Sequence, residues 1–374
     1  MKLSDLPKID FATADPQQMA IEVVSTVEKL LGRTLERADP IRIFLRGVEA
    51  IIILQRLLID QTAKQNLLAY ATGDFLDHLG ALVGCERLGT SAAVTTVELT
   101  LSTARQVTTT IAAGTRITAG DDVYFALEDD VIFLAGETVK TAKANCTVAG
   151  EVGNGYAAGE LTRIVDPQPF LQSVTNVTTS EGGADIESDD AYRERIHAAP
   201  EAFSCAGSEG AYIYHTKSVS SLITDVAVYS NPDIAGIVRI YPLLKGGEIP
   251  GAEMLEAVAE YLSDKTIRPL TDKVEVLPPT VVEYDIQATY WIAQSDSTNA
   301  AIIQSKAETA IQDYITWQAE KLGRDINPSE FIYQLKKAGV KRVAITEPNF
   351  LVTNKFSLAK ARTVAVTFAG LEED

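Results

Sequence analysis

Apolar residues recur at the three- and four-residue spacing of a helix through residues 15–83, and from residue 92 the pattern changes to an alternation of period two. Asp15-Pro16-Gln17-Gln18 combines an N-cap with proline at the first helical position and predicts a helix ending at Leu31. Asp39-Pro40 repeats that signal and opens a longer helix over 39–68. Its apolar positions, among them Ile43, Phe44, Val48, Ile51, Ile52, Leu54, Leu58 and Ile59, cover more than one stripe. A helix apolar on more than one face must be buried on more than one face. So short a segment has little with which to cover it, and we expect partner chains to do part of the covering, with Phe44, Val48, Ile51, Ile52, Leu54 and Leu58 as interface residues. The competing arrangement is a compact helical segment that buries its own core. A third helix starts at Gly73, with Phe75, Leu76, Leu79 and Leu82 inward, and ends near Gly84.

Residues 92–179 are Thr- and Val-rich, alternate, and are broken by glycine, which is the grammar of strands and hairpins. Ile111-Ala112-Ala113-Gly114, Phe133-Leu134-Ala135-Gly136 and Tyr156-Ala157-Ala158-Gly159 echo one another about 22 residues apart, each reading as a strand closed by a turn whose glycine has φ > 0. This predicts a small β-sandwich or barrel-like module. Helical signals resume at Ser188-Asp189-Asp190 and again at Ser208-Glu209, two N-caps with acidic first turns whose helices are expected to pack on one side of the sheet that follows. Strands over 222–229 and 237–244 flank an Asn231-Pro232-Asp233 turn; a helix over 251–263 and, after Arg268-Pro269-Leu270, a strand at 273–277 complete a unit with helices on one face of an antiparallel sheet. A second such unit has a strand over 281–292 with Val282, Tyr284, Ile286, Ala288, Tyr290 and Ile292 inward, a helix over 298–322, a helix capped by Asn327-Pro328-Ser329-Glu330, and strands over 340–345 and 361–368. The predicted fold class is thus α+β multidomain: an N-terminal helical segment (1–88), an inserted small β-rich domain (89–180) and two C-terminal α/β sandwich-like domains (181–279 and 280–374).

Composition narrows the functions. Among 374 residues, 51 acidic against 33 basic side chains give a formal charge of −18, which opposes a nucleic-acid footprint. The densest basic stretch, Lys336-Lys337-Ala338-Gly339-Val340-Lys341-Arg342, reads as a solvated helix end. Cys85, Cys146 and Cys205 lie far apart without C-x-x-C spacing and read as reduced thiols of a chain folded in a cytoplasm, with neither signal peptide nor membrane span. His78, His197 and His215 fall in separate contexts without zinc-ligand spacing; Ser208 and His215 are too far apart to pair. No Gly-x-Ser-x-Gly elbow surrounds Ser204-Cys205-Ala206-Gly207-Ser208, no phosphate loop follows the glycine-dense stretch at 150–159, and Asp121-Asp122 and Asp129-Asp130 suit turns. The expectation is a non-enzymatic protein with no catalytic residues, cofactor or metal.

Glu187-Ser188-Asp189-Asp190-Ala191-Tyr192-Arg193-Glu194-Arg195-Ile196, Ala206-Gly207-Ser208-Glu209-Gly210-Ala211-Tyr212, Glu283-Tyr284-Asp285-Ile286-Gln287-Ala288-Thr289 and Leu322-Gly323-Arg324-Asp325-Ile326 resemble the baseplate J-like family, as do Leu76-Asp77-His78-Leu79-Gly80 and Ala113-Gly114-Thr115. The resemblance reaches from residue 73 to 342 in the expected order. It implies a structural wedge subunit in the baseplate of a contractile phage tail or related injection particle, assembled in the bacterial cytoplasm. The implied partners are a second copy of the chain, a smaller companion wedge protein, a sheath-initiator-like protein and the central spike or hub. It implies N-terminal helices in intersubunit bundles and no catalytic residues. The β-rich passage is absent from shorter members and so reads as an insertion. The alternatives are a module gripping a carbohydrate or envelope ligand, which should display aromatic residues in the β-rich passage although Tyr124, Phe125, Phe133 and Tyr156 are few and mostly at expected core positions, and a hydrolase of cell-wall polymer.

Overall fold

The computed structural model describes residues 3–13, 15–203, 207–230, 236–264, 267–269 and 271–373, which leaves Cys205 and the Asn231-Pro232-Asp233 turn outside the described residues. The chain divides into two compact units, Met1–Arg87 with Ser188–Ala199, and Leu88–Glu187 with Pro200–Asp374.

In the first unit, α1 (Pro16–Leu31) and α2 (Pro40–Lys64) begin where the sequence places them, with Asp15 accepting from the Gln17 and Gln18 N–H groups and Asp39 from that of Ile41. The second helix stops four residues earlier than its pattern suggests. The carbonyls of Leu68 and Ala71 are instead taken by the Arg193 guanidinium (2.9 and 2.8 Å), so the chain there has no need of helical hydrogen bonds. Arg193 lies on α4 (Asp189–Ala198), which follows α3 (Gly73–Ala81) in this unit. Two expectations are corrected here. The first helix after residue 187, expected with the sheet that follows, belongs to the unit of the N-terminal helices, where its buried Tyr192 donates to the Cys85 carbonyl (2.7 Å) beneath the Arg87 guanidinium (4.6 Å from the ring). On α3, Leu76 is buried but Phe75 and Leu82 are exposed, since α4 meets the Leu76–Gly80 side of so short a helix. Arg87 pairs with Asp77 and Asp189, 2.8 Å each, and the Gly73 N–H donates to Asp189 (3.0 Å).

The second unit opens with a barrel-like sheet. Its strands are β1 (Ala92–Leu101), β2 (Thr109–Ile111), β3 (Arg116–Thr118), β4 (Phe125–Leu127), β5 (Val131–Phe133), β6 (Val139–Ala149), β7 (Arg163–Ile164) and β8 (Leu171–Asn176). Six of them run in the order β7-β3-β4-β6-β1-β8, and β2 pairs with β5. Burial alternates strictly along β1, and Val97, Leu99, Ile117, Phe125, Phe133 and Leu161 fill the interior. The three echoed glycines do take positive φ, +77° at Gly114, +90° at Gly136 and +91° at Gly159, the conformation their turns require.

Next come α5 (Glu209–Lys217), β9 (Ile223–Ser230), β10 (Ile237–Leu244), α6 (Ala252–Leu262) and β11 (Lys273–Val276). The sheet order is β11-β10-β9, and β10 is antiparallel to β9 but parallel to β11, so the expected antiparallel sheet is a mixed one. A strand reached through a crossover helix returns in the direction of the strand before it, and α6 is that helix. The last segment holds β12 (Thr280–Ala293), α7 (Ala300–Ala319), α8 (Pro328–Lys337), β13 (Arg342–Glu347) and β14 (Ser357–Glu372), in the order β13-β12-β14, again mixed because β14 is parallel to β12. The predicted inward set of β12 is the core set: Tyr284, Ile286, Ala288, Tyr290 and Ile292 are buried against Ile303, Ala307, Tyr314 and Phe331. Asn327 caps α8 through the Ser329 N–H (3.0 Å), while Glu330 takes Gln334 instead of closing a capping box. The two α/β parts share a small core in which Tyr241 stacks on Phe356 (4.9 Å between centroids) and Leu322 and Leu358 are buried.

Helix α6 has no capping side chain of its own, its N-cap being Gly251. The Glu181 carboxylate, from the chain that leaves the barrel, fills that role by accepting from the backbone N–H groups of Gly251 (2.7 Å), Glu253 (2.9 Å) and Met254 (3.2 Å). A charged acceptor on three orphan donors at the positive end of a helix dipole is the favourable arrangement for an anion. Glu181→Ala is expected to cost about 2 kcal/mol in denaturant unfolding, more than the roughly 1 kcal/mol expected of Asn327→Ala. In the other unit, a Cβ on Gly80 would lie 2.0 Å from the Tyr192 hydroxyl and 2.5 Å from the Cys85 carbonyl. Gly80→Ala is therefore expected to separate α3 from α4, read as faster amide exchange at residues 189–198 than in the parent chain.

Candidate assembly surface

Only Leu45 on α2 and Met19 on α1 are buried, and both keep a little exposure, 8% and 5%. The α1–α2 hairpin is held by polar contacts: Glu28 accepts from the Leu35 N–H (2.7 Å), Arg42 donates to the Leu35 carbonyl (2.7 Å), and Arg33 pairs with Asp39 (2.7 Å). The compact segment that buries its own core is thus not the one observed among the described residues. Of the six residues singled out in the sequence, Phe44, Ile51, Leu54 and Leu58 are exposed, by 70%, 58%, 65% and 63% respectively. Val48 and Ile52 are half-buried and stand three and seven residues after the buried Leu45, on the same side of α2.

The exposed four have a pattern. Phe44, Ile51 and Leu58 are seven residues apart, and Leu54 with Gly47 stands three residues after the first two of them, the a and d positions of a heptad. Such spacing places all five on one face, beside which Ile43 and Leu57 are also exposed. Sequence reading missed Gly47, which leaves a gap at a d position where a neighbouring backbone can come close, and Ile21 and Leu30, which are exposed on α1. The heptad count would have found the first; the other two could be seen only once α1 and α2 were placed. Burying a large apolar side chain contributes about 1.5–3 kcal/mol, so the four exposed residues hold on the order of 6 kcal/mol of unrealised transfer free energy. Exposed apolar patches of this kind recur at interaction sites.

The rest of the described molecule offers no comparable focus of chemistry. His215 lies against the Tyr214 and Tyr261 rings (5.4 and 6.3 Å), and burial pushes its pKa down. Asp121 is held below the usual carboxylate range by the Tyr156 hydroxyl (2.6 Å), and Asp130 accepts from the Ala113 N–H (2.7 Å), so both acidic pairs serve turns. Lys336 and Lys337 occupy the last turn of α8, and Arg342 pairs with Glu372 (2.8 Å). Phe125 and Phe133 are wholly inside the barrel, and Tyr156 packs edge-on against Phe125 (5.6 Å). Among the described residues, no group of His, Cys, Asp and Glu is arranged to hold a metal ion, and no helix is long and apolar enough to cross a membrane.

Four stretches of the chain match, in order, the Baseplate J-like N-terminal domain (residues 38–93), the Baseplate J-like protein barrel domain (96–183), the Baseplate J-like central domain (204–278) and the Baseplate J-like protein C-terminal domain (284–367). The chain belongs to the Baseplate J-like family. The β-rich passage is one of that family's own domains, which corrects the expectation of an insertion. Baseplate protein J of Escherichia phage P2 is 34% identical over 163 residues, a match covering 44% of this chain and 53% of that protein, so the similarity spans about half the length of the relative. A chain in the cryo-electron-microscopy structure of the anti-feeding prophage (AFP) baseplate is similar over 91% of this chain and 90% of its own, at 13% identity and a TM-score of 0.39. The apolar strip on α2 lies inside the match to the N-terminal domain.

Replacing Phe44 and Leu58 together by serine is expected to leave folding stability within about 0.5 kcal/mol, because neither side chain is buried in the isolated chain, while lowering binding of an apolar dye. A loss of stability well beyond that would place the two residues in the chain's own core.

Proposed function

We propose that this chain is a structural wedge subunit of the baseplate of a contractile phage tail or tail-like particle, and that it works by oligomerising around the central spike. In this reading residues 1–88 form the intersubunit helical segment, 89–180 the barrel, and 181–279 and 280–374 the two α/β domains. A second copy, a smaller companion wedge protein, a sheath-initiator-like protein and the hub are its neighbours, and opening of the baseplate passes through its interfaces to sheath contraction. The protein is assembled in the bacterial cytoplasm and performs no catalysis. Family membership supports the baseplate setting.

The observation that carries the reading is the heptad-spaced apolar strip Phe44, Ile51, Leu54 and Leu58, exposed in the single chain. A monomeric role gives no reason for it, whereas a helical bundle with neighbouring chains buries it in full. Interfaces that pass between two arrangements of similar energy are the usual basis of such switching. The envelope-binding alternative is less well supported, because Phe125 and Phe133 are core residues, as expected of them, and the passage displays few other aromatic residues.

Leu54→Asp is the direct test. At an exposed position the carboxylate should leave the free chain folded with its melting temperature unchanged. Burying it unpaired in a bundle costs on the order of 3 kcal/mol or more, over a hundredfold in association. Particles produced with this variant should therefore lack the subunit, and particles that carry it at the wild-type level would sink the proposal.

A further inference from the structure

The central strand of the last sheet is flanked on one side along only part of its length. β12 pairs with β14 over 280–293, but with β13 only from Gln287 to Trp291. Among the described residues, nothing continues the line of β13 beside 281–286. At Pro348 the chain turns out of that line, and Leu351 pairs instead with Ile326 (2.9 and 3.1 Å). A groove of about 480 Å³ lies there, with Glu283, Tyr284 and Asp285 on one wall, residues 347–351 on the other, and Ile326 between them. An open strand edge presents backbone donors and acceptors in the plane of the sheet, and proteins ordinarily cover or interrupt such an edge. What fits this one is a short extended segment laid in line with β13.

The side chains say which segment. Strand alternation turns Tyr284 and Ile286 into the core and Glu283 and Asp285 outward. Asp285 is already committed to the Arg362 guanidinium (3.0 and 2.5 Å). Glu283 is not: its side chain is 59% exposed and reaches the same guanidinium only at 3.8 Å. Glu347 accepts from the neighbouring Asn349 amide at 3.3 Å and pairs with no cation among the described residues. Phe350 and Leu351, 59% and 48% exposed, form the apolar part of the opposite wall. We propose that 281–286 of β12 receives an extended segment of another protein, in which basic residues alternate with apolar ones, as a strand added in line with β13. In strand addition the main-chain hydrogen bonds supply attachment and alternate side chains supply selectivity. Here basic side chains meet Glu283 and Glu347, and apolar ones meet Phe350 and Leu351. A second copy of this chain is a poor occupant, because a charge of −18 repels its like, whereas the same charge draws a cationic segment.

This contact is separate from α2 and does not rest on it. The probe is a fluorescein-labelled octapeptide of alternating lysine and valine, titrated with the full-length chain and read by fluorescence anisotropy. It is expected to bind, and the same peptide with glutamate for lysine is expected not to. Glu283→Gln with Glu347→Gln should weaken binding about tenfold. Asp122→Asn with Glu308→Gln removes the same charge from exposed positions elsewhere and should leave binding within about twofold. Bound peptide should also slow amide exchange at 281–286, a backbone signature that diffuse charge attraction does not give. Absence of binding at millimolar concentrations, binding of the glutamate peptide, equal losses in the two double variants, or unchanged exchange at 281–286 overturns the proposal.

Discussion

A helix that is apolar on opposite sides cannot be satisfied by one neighbouring helix, and the first unit of this molecule is built around that mismatch. Helix α2 gives one side to α1 and is left with Phe44, Ile51, Leu54 and Leu58 in water. The fold could have closed over them, since α3 and α4 belong to the same unit. Instead those two helices are committed to each other through Tyr192, Gly80 and Arg87, a contact made of one buried ring, one missing side chain and a shared guanidinium. The apolar surface left over is thus a product of how the remaining helices are occupied.

The second unit shows the opposite economy, in which polar groups join parts that each have their own core. Glu181 leaves the barrel and ends on the uncapped N-terminus of α6, and Thr96 on β1 donates to Glu253 on the same helix (2.8 Å). Each of these is a directional contact at an element end, where backbone donors are already unsatisfied. The two α/β parts are joined differently, by the stacked Tyr241 and Phe356.

Most elements were legible in the sequence, because their signals are local. Proline and Asp, Ser or Asn caps fixed the starts of α1, α2, α4, α5 and α8, and period-two alternation identified β1 and the inward face of β12. What could not be read was long-range. The end of α2 depends on Arg193, more than a hundred residues away, and the placing of α4 depends on Tyr192 finding Cys85. The sheets were expected to be antiparallel, and the parallel partners of β10 and β12 follow from crossovers that periodicity does not record. On α2 the apolar residues were legible, but which of them stay in water was not. That required knowing which side α1 covers, and it divided the six into four exposed and two half-buried.

If α2 meets neighbouring chains, its outward face is buried once the particle is assembled. A cysteine placed at Ile51 measures this directly through its rate of alkylation, compared between the free chain and intact purified particles. Rapid labelling is expected in the free chain and protection by at least about a hundredfold in the particle, as for a side chain in a packed bundle. Equal rates in the two states would contradict it, because the strip would then be as open to water in the assembly as it is in the single chain.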